Sequence, residues 1–253
     1  MTTAGNVFVI ALIAGSATGI GALPAFLLSD VTPRIRDATL GLAAGILLST
    51  AFFALLLPAT ESGSLPAIWV GIVTGSVFFV LTDRLATRLL DTANPEAVIE
   101  SSAGSKRAIL VGGTITLHNV PEGLAIGVAF GTGLETTGLV LAVAIGVQNL
   151  SDGFVVALAA IESDLSRARL LTYTTLTGAV PEPIAAVAGF VLVSQVGGIF
   201  PVLAAFAAGA IFSITFRELI PASQQNGFTD LTTIMFVLGI VVIFAVESII
   251  SVL

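Results

Sequence analysis

Apolar residues fill this chain in long runs that short polar segments separate. Each run is about 20 residues long, the length that an α-helix needs to cross the hydrocarbon core of a bilayer. The pattern predicts an all-α integral membrane protein, with eight transmembrane helices in a single domain over residues 1–253. We predict the helices at Asn6–Leu28, Ala38–Ala59, Pro66–Leu90, Arg107–Phe130, Thr136–Ala160, Ala168–Leu192, Gly198–Pro221 and Thr229–Ile250.

Composition supports the membrane assignment and narrows the chemistry. Hydrophobic residues make up 56% of the chain and charged residues 10%, whereas a soluble domain usually carries about 25% charged residues. The chain has no cysteine, which excludes disulfides, thiolate metal sites and cysteine nucleophiles. Its net charge of −7 argues against nucleic acid as a partner. The N-terminus has no basic segment before the first apolar run, so we expect a retained helix rather than a signal peptide.

The basic residues predict how the chain is oriented. With eight alternating spans, all nine fall on one side of the membrane: Arg34, Arg36, Arg84, Arg88, Lys106, Arg107, Arg167, Arg169 and Arg217. The positive-inside rule makes that side cytoplasmic. We therefore expect both termini on the extracytoplasmic side of a multi-pass protein of the cell (plasma) membrane.

Two similar hexapeptides occupy the middle of predicted helices 4 and 5. His118–Gly123 and Gln148–Gly153 both read polar, Asn, apolar, helix-breaking or small, acidic, Gly. Ionisable residues are costly inside a bilayer and usually mark functional sites. The repetition also predicts an internal pseudo-symmetry that relates the two helices, a common device in transporters.

Three neighbouring helices place polar residues at similar depth. Within each hexapeptide the first residue and the acid are four apart, so they share one helix face. Helix 6 adds a further acid between two prolines. Imidazole, carboxylate and amide groups together suit a divalent transition metal. The candidate metal ligands are His118, Asn119, Glu122, Gln148, Asn149, Asp152 and Glu182.

Charge favours cations at this depth. Glu122, Asp152 and Glu182 would repel one another if all were ionised and unpaired, and no Lys or Arg is predicted near them. Either the three acids share protons or cations occupy the site. Pro121 and Pro181 each remove a backbone donor, and the carbonyl that each proline frees could bind an ion.

Other interpretations of these residues stay open at this stage. The amides could be interhelical hydrogen-bonding groups without a metal. The same acids could line a proton or monovalent-cation channel. An intramembrane hydrolase would have to use His118 with Ser151, since the chain has a single histidine. Near the helix ends, we expect Asp83 to pair with Arg84, and Glu218 with its own neighbour Arg217, while a metal exit path there is the second interpretation.

The motifs resemble those of the ZIP family of metal transporters along nearly the whole chain. The His-Asn-x-Pro-Glu-Gly stretch at 118–123 is the most specific element. Glu182-Pro183 is similar to the family's helix 6 acid, and the stretch at 218–221 is similar to its helix 7 motif. The resemblance implies transport of divalent metal toward the cytoplasm, with an elevator-like motion of one set of helices, and no catalytic activity or cofactor.

The resemblance also implies a binuclear site at mid-membrane. One ion would be held by His118, Glu122, Gln148 and Asp152. The second would be held by Asn119, Asn149, Asp152 and Glu182, with Glu122 as a bridge. Zinc leads through the resemblance, and iron, manganese, cobalt and cadmium fit the same donors. Whether the chain works alone or as a homodimer stays open.

The chain departs from the family pattern at several positions. Helix 5 carries Ser151-Asp152 where Pro-Glu is common, giving a variant Gln-Asn-x-x-Asp-Gly motif. Gln148 stands where some members have His, and Asn149 stands where others have Asp. In helix 7, Arg217 occupies a position where an acid or His is common, which argues against a metal site on the exit side.

Overall fold

The computed structural model describes residues 2–27, 32–92, 103–159, 166–196 and 198–250. All regular structure within these ranges is helical, and it forms eight long segments. We name them α1 (Ala4–Leu27), α2 (Pro33–Ser62), α3 (Leu65–Thr92), α4 (Ala103–Gly131), α5 (Glu135–Ala159), α6 (Arg167–Gln195), α7 (Phe200–Ser223) and α8 (Thr229–Ile250). The predicted helix ends at Leu28 and Ala160 lie outside the described residues.

Seven of the eight segments are long and apolar enough to cross a membrane, all except α4. This confirms the all-α membrane fold. Helix α4 has 29 residues, which corresponds to about 43 Å and exceeds the hydrocarbon thickness. It carries three of the candidate ligands and is correspondingly more polar. That α4 is the eighth span, and that both termini face outward, stay predictions.

Helix α2 begins five residues earlier than the apolar pattern predicts. Thr32 caps it, because its hydroxyl accepts from the Ile35 backbone N–H at 3.4 Å. Pro33 follows as the first helical residue, where its missing N–H costs nothing. The apolar run starts only at Ala38, after the charged residues of the first turns. Hydropathy alone therefore missed a polar helix start that places Arg36 within the helix.

The segments pack as two bundles. Helix α1 packs mainly against α5 and α6, and α4 packs against α6 and α5, which makes one unit. We call α1, α4, α5 and α6 the ligand bundle, because it carries every predicted metal ligand. Helix α3 packs mainly against α7, and α2 against α8. We call these four helices the support bundle.

Contacts between helices occur in matched pairs. The matching helices are α1 and α6, α2 and α7, α3 and α8, and α4 and α5. When each helix is replaced by its match, the α1–α5 contact becomes the α6–α4 contact, and the α2–α8 contact becomes the α7–α3 contact. Both α2 and α7 contain a π-helical turn, at Thr50–Leu56 and Thr215–Leu219. This is the arrangement that an internal pseudo-symmetry produces, and it pairs α4 with α5 as the two hexapeptides do.

The closing glycine of each hexapeptide allows close helix packing. A Cβ at Gly153 would overlap the backbone carbonyl of Thr18 in α1, and a Cβ at Gly123 would overlap the backbone carbonyl of Glu182 in α6. Small residues let transmembrane backbones approach closely where no hydrophobic driving force acts between helices. The two glycines thus bring α1 against α5 and α6 against α4 beside the candidate ligands.

The glycine contact predicts a difference between two positions in α5. Gly153→Ala should destabilise the detergent-solubilised protein by about 1–3 kcal/mol through overpacking against Thr18, which lowers Tm by about 2–12 °C for a chain of this size. Gly146→Ala is the matched control, since its Cβ would meet Ala14 of α1 only at ordinary contact distance, 3.6 Å. Thermal unfolding monitored by size-exclusion chromatography, without metal, measures both, and equal Tm values would contradict the packing role.

Candidate metal site

All seven predicted ligands are buried, and none is more than 4% exposed. They lie on α4, α5 and α6 of the ligand bundle, in the part of each helix that the two hexapeptides and the helix 6 prolines define. None of the seven faces lipid. Burying a polar group in a membrane protein is costly unless the group has a hydrogen-bond partner or binds an ion.

A break in α6 places Glu182. The segment consists of two helical parts, Arg167–Ala179 and Pro181–Gln195, which Val180 separates. Because Pro181 has no N–H, the carbonyl of Thr177 four residues earlier loses its helical donor. The side chain of Asn119 in α4 takes over, and its Nδ2 donates to the Thr177 oxygen at 3.1 Å. The proline thus creates the acceptor that fixes the orientation of a candidate ligand from the neighbouring helix.

Asn119 and Asn149 are held in the same way in α4 and α5. Asn119 Nδ2 also donates to the Ile115 carbonyl of its own helix at 2.9 Å. Asn149 Nδ2 donates to the Ala14 carbonyl of α1 at 2.9 Å. A carbonyl oxygen can only accept, so each amide nitrogen must face the backbone and each Oδ1 must face away from it. Neither Oδ1 has a hydrogen-bond partner.

Direct contacts join the candidate ligands of different helices. Asn149 Nδ2 of α5 donates to Glu182 Oε2 of α6 at 2.7 Å. Within α5, Gln148 Nε2 donates to Asp152 Oδ2 at 2.6 Å. Glu122 of α4 lies close enough to Asp152 and Glu182 for electrostatic interaction with both. The three helices therefore bring these side chains to one region, as the sequence predicts.

Oxygen atoms without donors accumulate in this region. Among the candidate ligands, six buried side-chain oxygens have no hydrogen-bond partner in the described residues: Asn119 Oδ1, Glu122 Oε1 and Oε2, Gln148 Oε1, Asn149 Oδ1 and Glu182 Oε1. Each buried acceptor left unpaired costs about 1–3 kcal/mol. These oxygens are therefore the atoms through which the site can bind a cation or, at the carboxyl groups, a proton.

Amide oxygens are an essential part of this donor set. Within the part of the chain that the structure describes, no three His, Cys, Asp or Glu residues are grouped closely enough to hold one metal ion. Any ion here would need Asn or Gln oxygens beside the carboxylates. The variant motif of α5, with Gln148 and Asn149, supplies two such oxygens.

His118 is turned toward the support bundle. Its Nε2 lies 2.9 Å from Glu218 Oε1 of α7. The two atoms are close, but the contact falls outside hydrogen-bond geometry, since both atoms lack a partner by that criterion. The ring also packs against Phe79 of α3, with centroids 5.6 Å apart. His118 thus lies at the boundary between the two bundles, on the rim of the donor set.

The expected pairing of Glu218 with its neighbour Arg217 is wrong. Arg217 Nη2 instead donates to Asp83 Oδ2 of α3 at 2.9 Å, so Asp83 also has a partner other than the expected Arg84. Adjacent residues on a helix point about 100° apart, which directs Glu218 to the ligand bundle while Arg217 points to α3. Sequence reasoning missed Glu218 as a neighbour of the site, although this spacing argument was available to it.

A cavity of about 230 Å³ reaches the site from one side of the membrane. His118 and Asp152 form part of its wall from the ligand bundle, and Arg36 and Glu218 from the support bundle. The cavity lies toward the start of α2 and α4 and the end of α5 and α7. These are the helix ends that carry the basic residues, so the cavity opens toward the side that the positive-inside rule makes cytoplasmic.

Comparison with known proteins agrees with these observations. The family model of the ZIP zinc transporter matches residues 100–247. Zinc transporter GufA of Myxococcus xanthus is 34% identical, over 94% of this chain and 96% of its own length. Zinc transporter ZIPB of Bordetella bronchiseptica is 31% identical, over 92% and 77%. Zinc transporter ZIP11 of Homo sapiens is 28% identical, over 91% and 93%.

The match extends from the first helix to the last and includes the helices that hold the buried donors. A helical membrane bundle, a doubled polar hexapeptide at its centre and near full-length similarity to GufA lead to one conclusion: this chain belongs to the ZIP family of zinc transporters.

Proposed function

We propose that this protein carries zinc across the plasma membrane into the cytoplasm through a binuclear site between α4, α5 and α6. The observation that carries the proposal is the group of six buried oxygens without donors. Two ions of charge +2 that shared them as ligands would satisfy these acceptors and offset the negative charge of the three carboxylates. Relatives named as zinc transporters support zinc as the cargo.

The first ion would take His118, Glu122, Gln148 and Asp152 as ligands. Because no three His, Asp or Glu side chains among the described residues already surround one point, the acidic side chains of this set and of the second would have to draw together around each ion. The Gln148 side chain supports this assignment, because its Nε2 holds Asp152 while its Oε1 remains available. His118 would have to leave Glu218 to join this set. Metal arrival would therefore remove a contact between the ligand bundle and the support bundle.

The second ion would take Asn119, Asn149, Asp152 and Glu182, with Glu122 as a bridge. Both asparagine oxygens are oriented in advance, because backbone carbonyls hold the amide nitrogens. Both oxygens of Glu122 are unpaired, as a bridging carboxylate requires. Ligands that are already ordered lose little conformational entropy when the ion binds.

The donor set restricts the cargo by its chemistry. Imidazole, carboxylate and amide ligands accept zinc, iron, manganese, cobalt and cadmium as divalent ions. With no cysteine and two methionines in the chain, monovalent copper lacks its preferred soft ligands. Among these divalent ions, the names of the relatives favour zinc as the cargo. A competition uptake assay would rank the other ions against zinc.

The cavity supports release toward the cytoplasm. It connects His118 and Asp152 with the basic side of the protein, while Arg36 and Glu218 of the support bundle form the facing wall. In this conformation, which we call inward-open, an ion at the site has a path to the cytoplasm. A displacement of the ligand bundle along the support bundle would then expose the same site to the opposite side.

Substitutions at the site should abolish transport. In proteoliposomes, His118→Ala and Glu122→Gln should each lower zinc uptake by more than about tenfold, because each removes a direct ligand. Ser151→Ala is the control: Ser151 neighbours Asp152 but lies outside the proposed ligand set, so uptake should stay at the wild-type level. Retained uptake in Ser151→Ala would dismiss a hydrolase that uses Ser151. Sodium or proton flux that occurs without zinc and is lost in Glu122→Gln would favour a channel lined by the same acids.

Metal stoichiometry tests the binuclear site. Purified wild-type protein should bind two zinc ions per chain, and Glu182→Gln should bind one, because Glu182 belongs only to the second set. Elemental analysis after equilibrium dialysis gives both numbers. Glu135→Gln, an exposed acid at the start of α5, should retain two ions. One ion in the wild type would eliminate the binuclear site and leave single-ion transport standing.

Zinc binding should release protons. Without metal, Glu122, Asp152 and Glu182 have no cationic partner from Lys or Arg among the described residues, so protons must neutralise part of their charge. Metal then displaces those protons. Titration of weakly buffered protein with zinc should acidify the solution, less so for Asp152→Asn. Stoichiometric zinc binding without acidification at any pH would overturn this coupling.

A further inference from the structure

Arg36 occupies a position that the transport of a cation does not explain by itself. It lies in α2 of the support bundle, and its side chain lines the cavity through which the site reaches the cytoplasmic side. A guanidinium carries its positive charge at every physiological pH. The ion that leaves the site must therefore pass a fixed charge of its own sign.

Arg36 differs from the other arginine of this region in being unpaired. Arg217 of α7 is held by Asp83 at 2.9 Å. The Arg36 guanidinium forms no hydrogen bond or ion pair with any residue in the described ranges, although the residue is partly buried. No direct contact with a carboxylate therefore offsets its charge, and Arg36 faces the cavity with that charge.

The surroundings strengthen that field. Besides Arg36, the cavity wall contains His118, Asp152 and Glu218 as titratable groups, and most of the remaining wall is apolar. Apolar walls focus field lines and reduce screening, so a charge in such a cleft acts further than it does in open water. Both acids in this wall would attract a departing divalent ion, and among the described residues that line the cavity Arg36 is the one arginine or lysine.

We propose that Arg36 sets the affinity of the inward-open site, lowering it for divalent cations so that zinc leaves to the cytoplasm and does not rebind. Repulsion between the guanidinium and the ion opposes binding from this side, and attraction between the guanidinium and the vacated acids stabilises the empty site. Arg36 acts only while the cavity brings it and the site together. It therefore affects one side of the transport cycle. The inference rests on the proposed zinc transport by the same site.

The experiment measures zinc affinity from each side of the membrane separately. The chain has no cysteine, so Gln225→Cys, exposed between α7 and α8, reports orientation in proteoliposomes through an impermeant maleimide. Arg36→Gln should lower the half-saturating zinc concentration on the basic face by about fivefold to tenfold, as expected for one charge acting on a divalent ion. The value on the opposite face should not change, and maximal uptake into the cytoplasmic compartment should fall.

Three further variants separate charge from structure. Arg34→Gln removes the same charge from the same end of α2 at an exposed position outside the cavity wall, and it should match wild type on both faces. Arg36→Lys keeps the charge and should also match. Thr114→Lys adds a charge to the cavity wall and should raise the half-saturating concentration on the basic face, so the inference stays testable if Arg36→Gln does not fold.

Several results would overturn the role of Arg36. They are equal effects of Arg34→Gln and Arg36→Gln, equal shifts on both faces, or weaker zinc binding in Arg36→Gln. Calorimetric zinc binding to the purified variants is measured in parallel, and higher affinity in Arg36→Gln is expected there too. Absent zinc flux in the wild type would refute the proposed transport alone, since calorimetry still decides the effect of Arg36. Normal flux with no response to Arg36 would refute only the further inference.

Discussion

Buried oxygen atoms without hydrogen-bond donors are the constraint that connects the features of this protein. Inside a bilayer, no solvent can satisfy them, so the fold must keep them facing a common space. Pro181 begins the arrangement by freeing the Thr177 carbonyl, which then holds the Asn119 amide. The Ala14 carbonyl holds Asn149 in the related position of α5. Hydrogen bonds to backbone carbonyls thus orient both amide nitrogens and leave the two amide oxygens without a donor.

Sequence patterns predicted much of this organisation because the bilayer makes them strict. Apolar runs located the helical segments of the described residues, and the hexapeptides identified two helices whose polar side chains lie close to those of α6. Family membership confirms that the chain is a metal transporter of the membrane and not an enzyme. The polar starts of helices escaped prediction, since a capped turn such as Thr32-Pro33 leaves no hydrophobic signal.

Long-range pairing was the part that the sequence could not supply. Arg217 and Glu218 are neighbours in the chain, yet they contact Asp83 and His118 on different helices. Their partners depend on how α7 packs between α3 and α4, and on a π-helical turn that shifts the register of its side chains. The prolines in the sequence predict that α6 is interrupted near Val180. The hydrogen bond that satisfies the freed Thr177 carbonyl could not be predicted, because its donor, Asn119, is 58 residues away in the chain.

The glycine contacts of the ligand bundle have a mechanical consequence. Gly153 rests on the Thr18 carbonyl and Gly123 on the Glu182 carbonyl, so α1 and α5, and likewise α4 and α6, cannot slide past each other without collision. Within each pair, neither helix can shift along its axis without carrying the other. Glu122 and Glu182, which flank the contact of α4 with α6, thus keep a fixed height relative to each other.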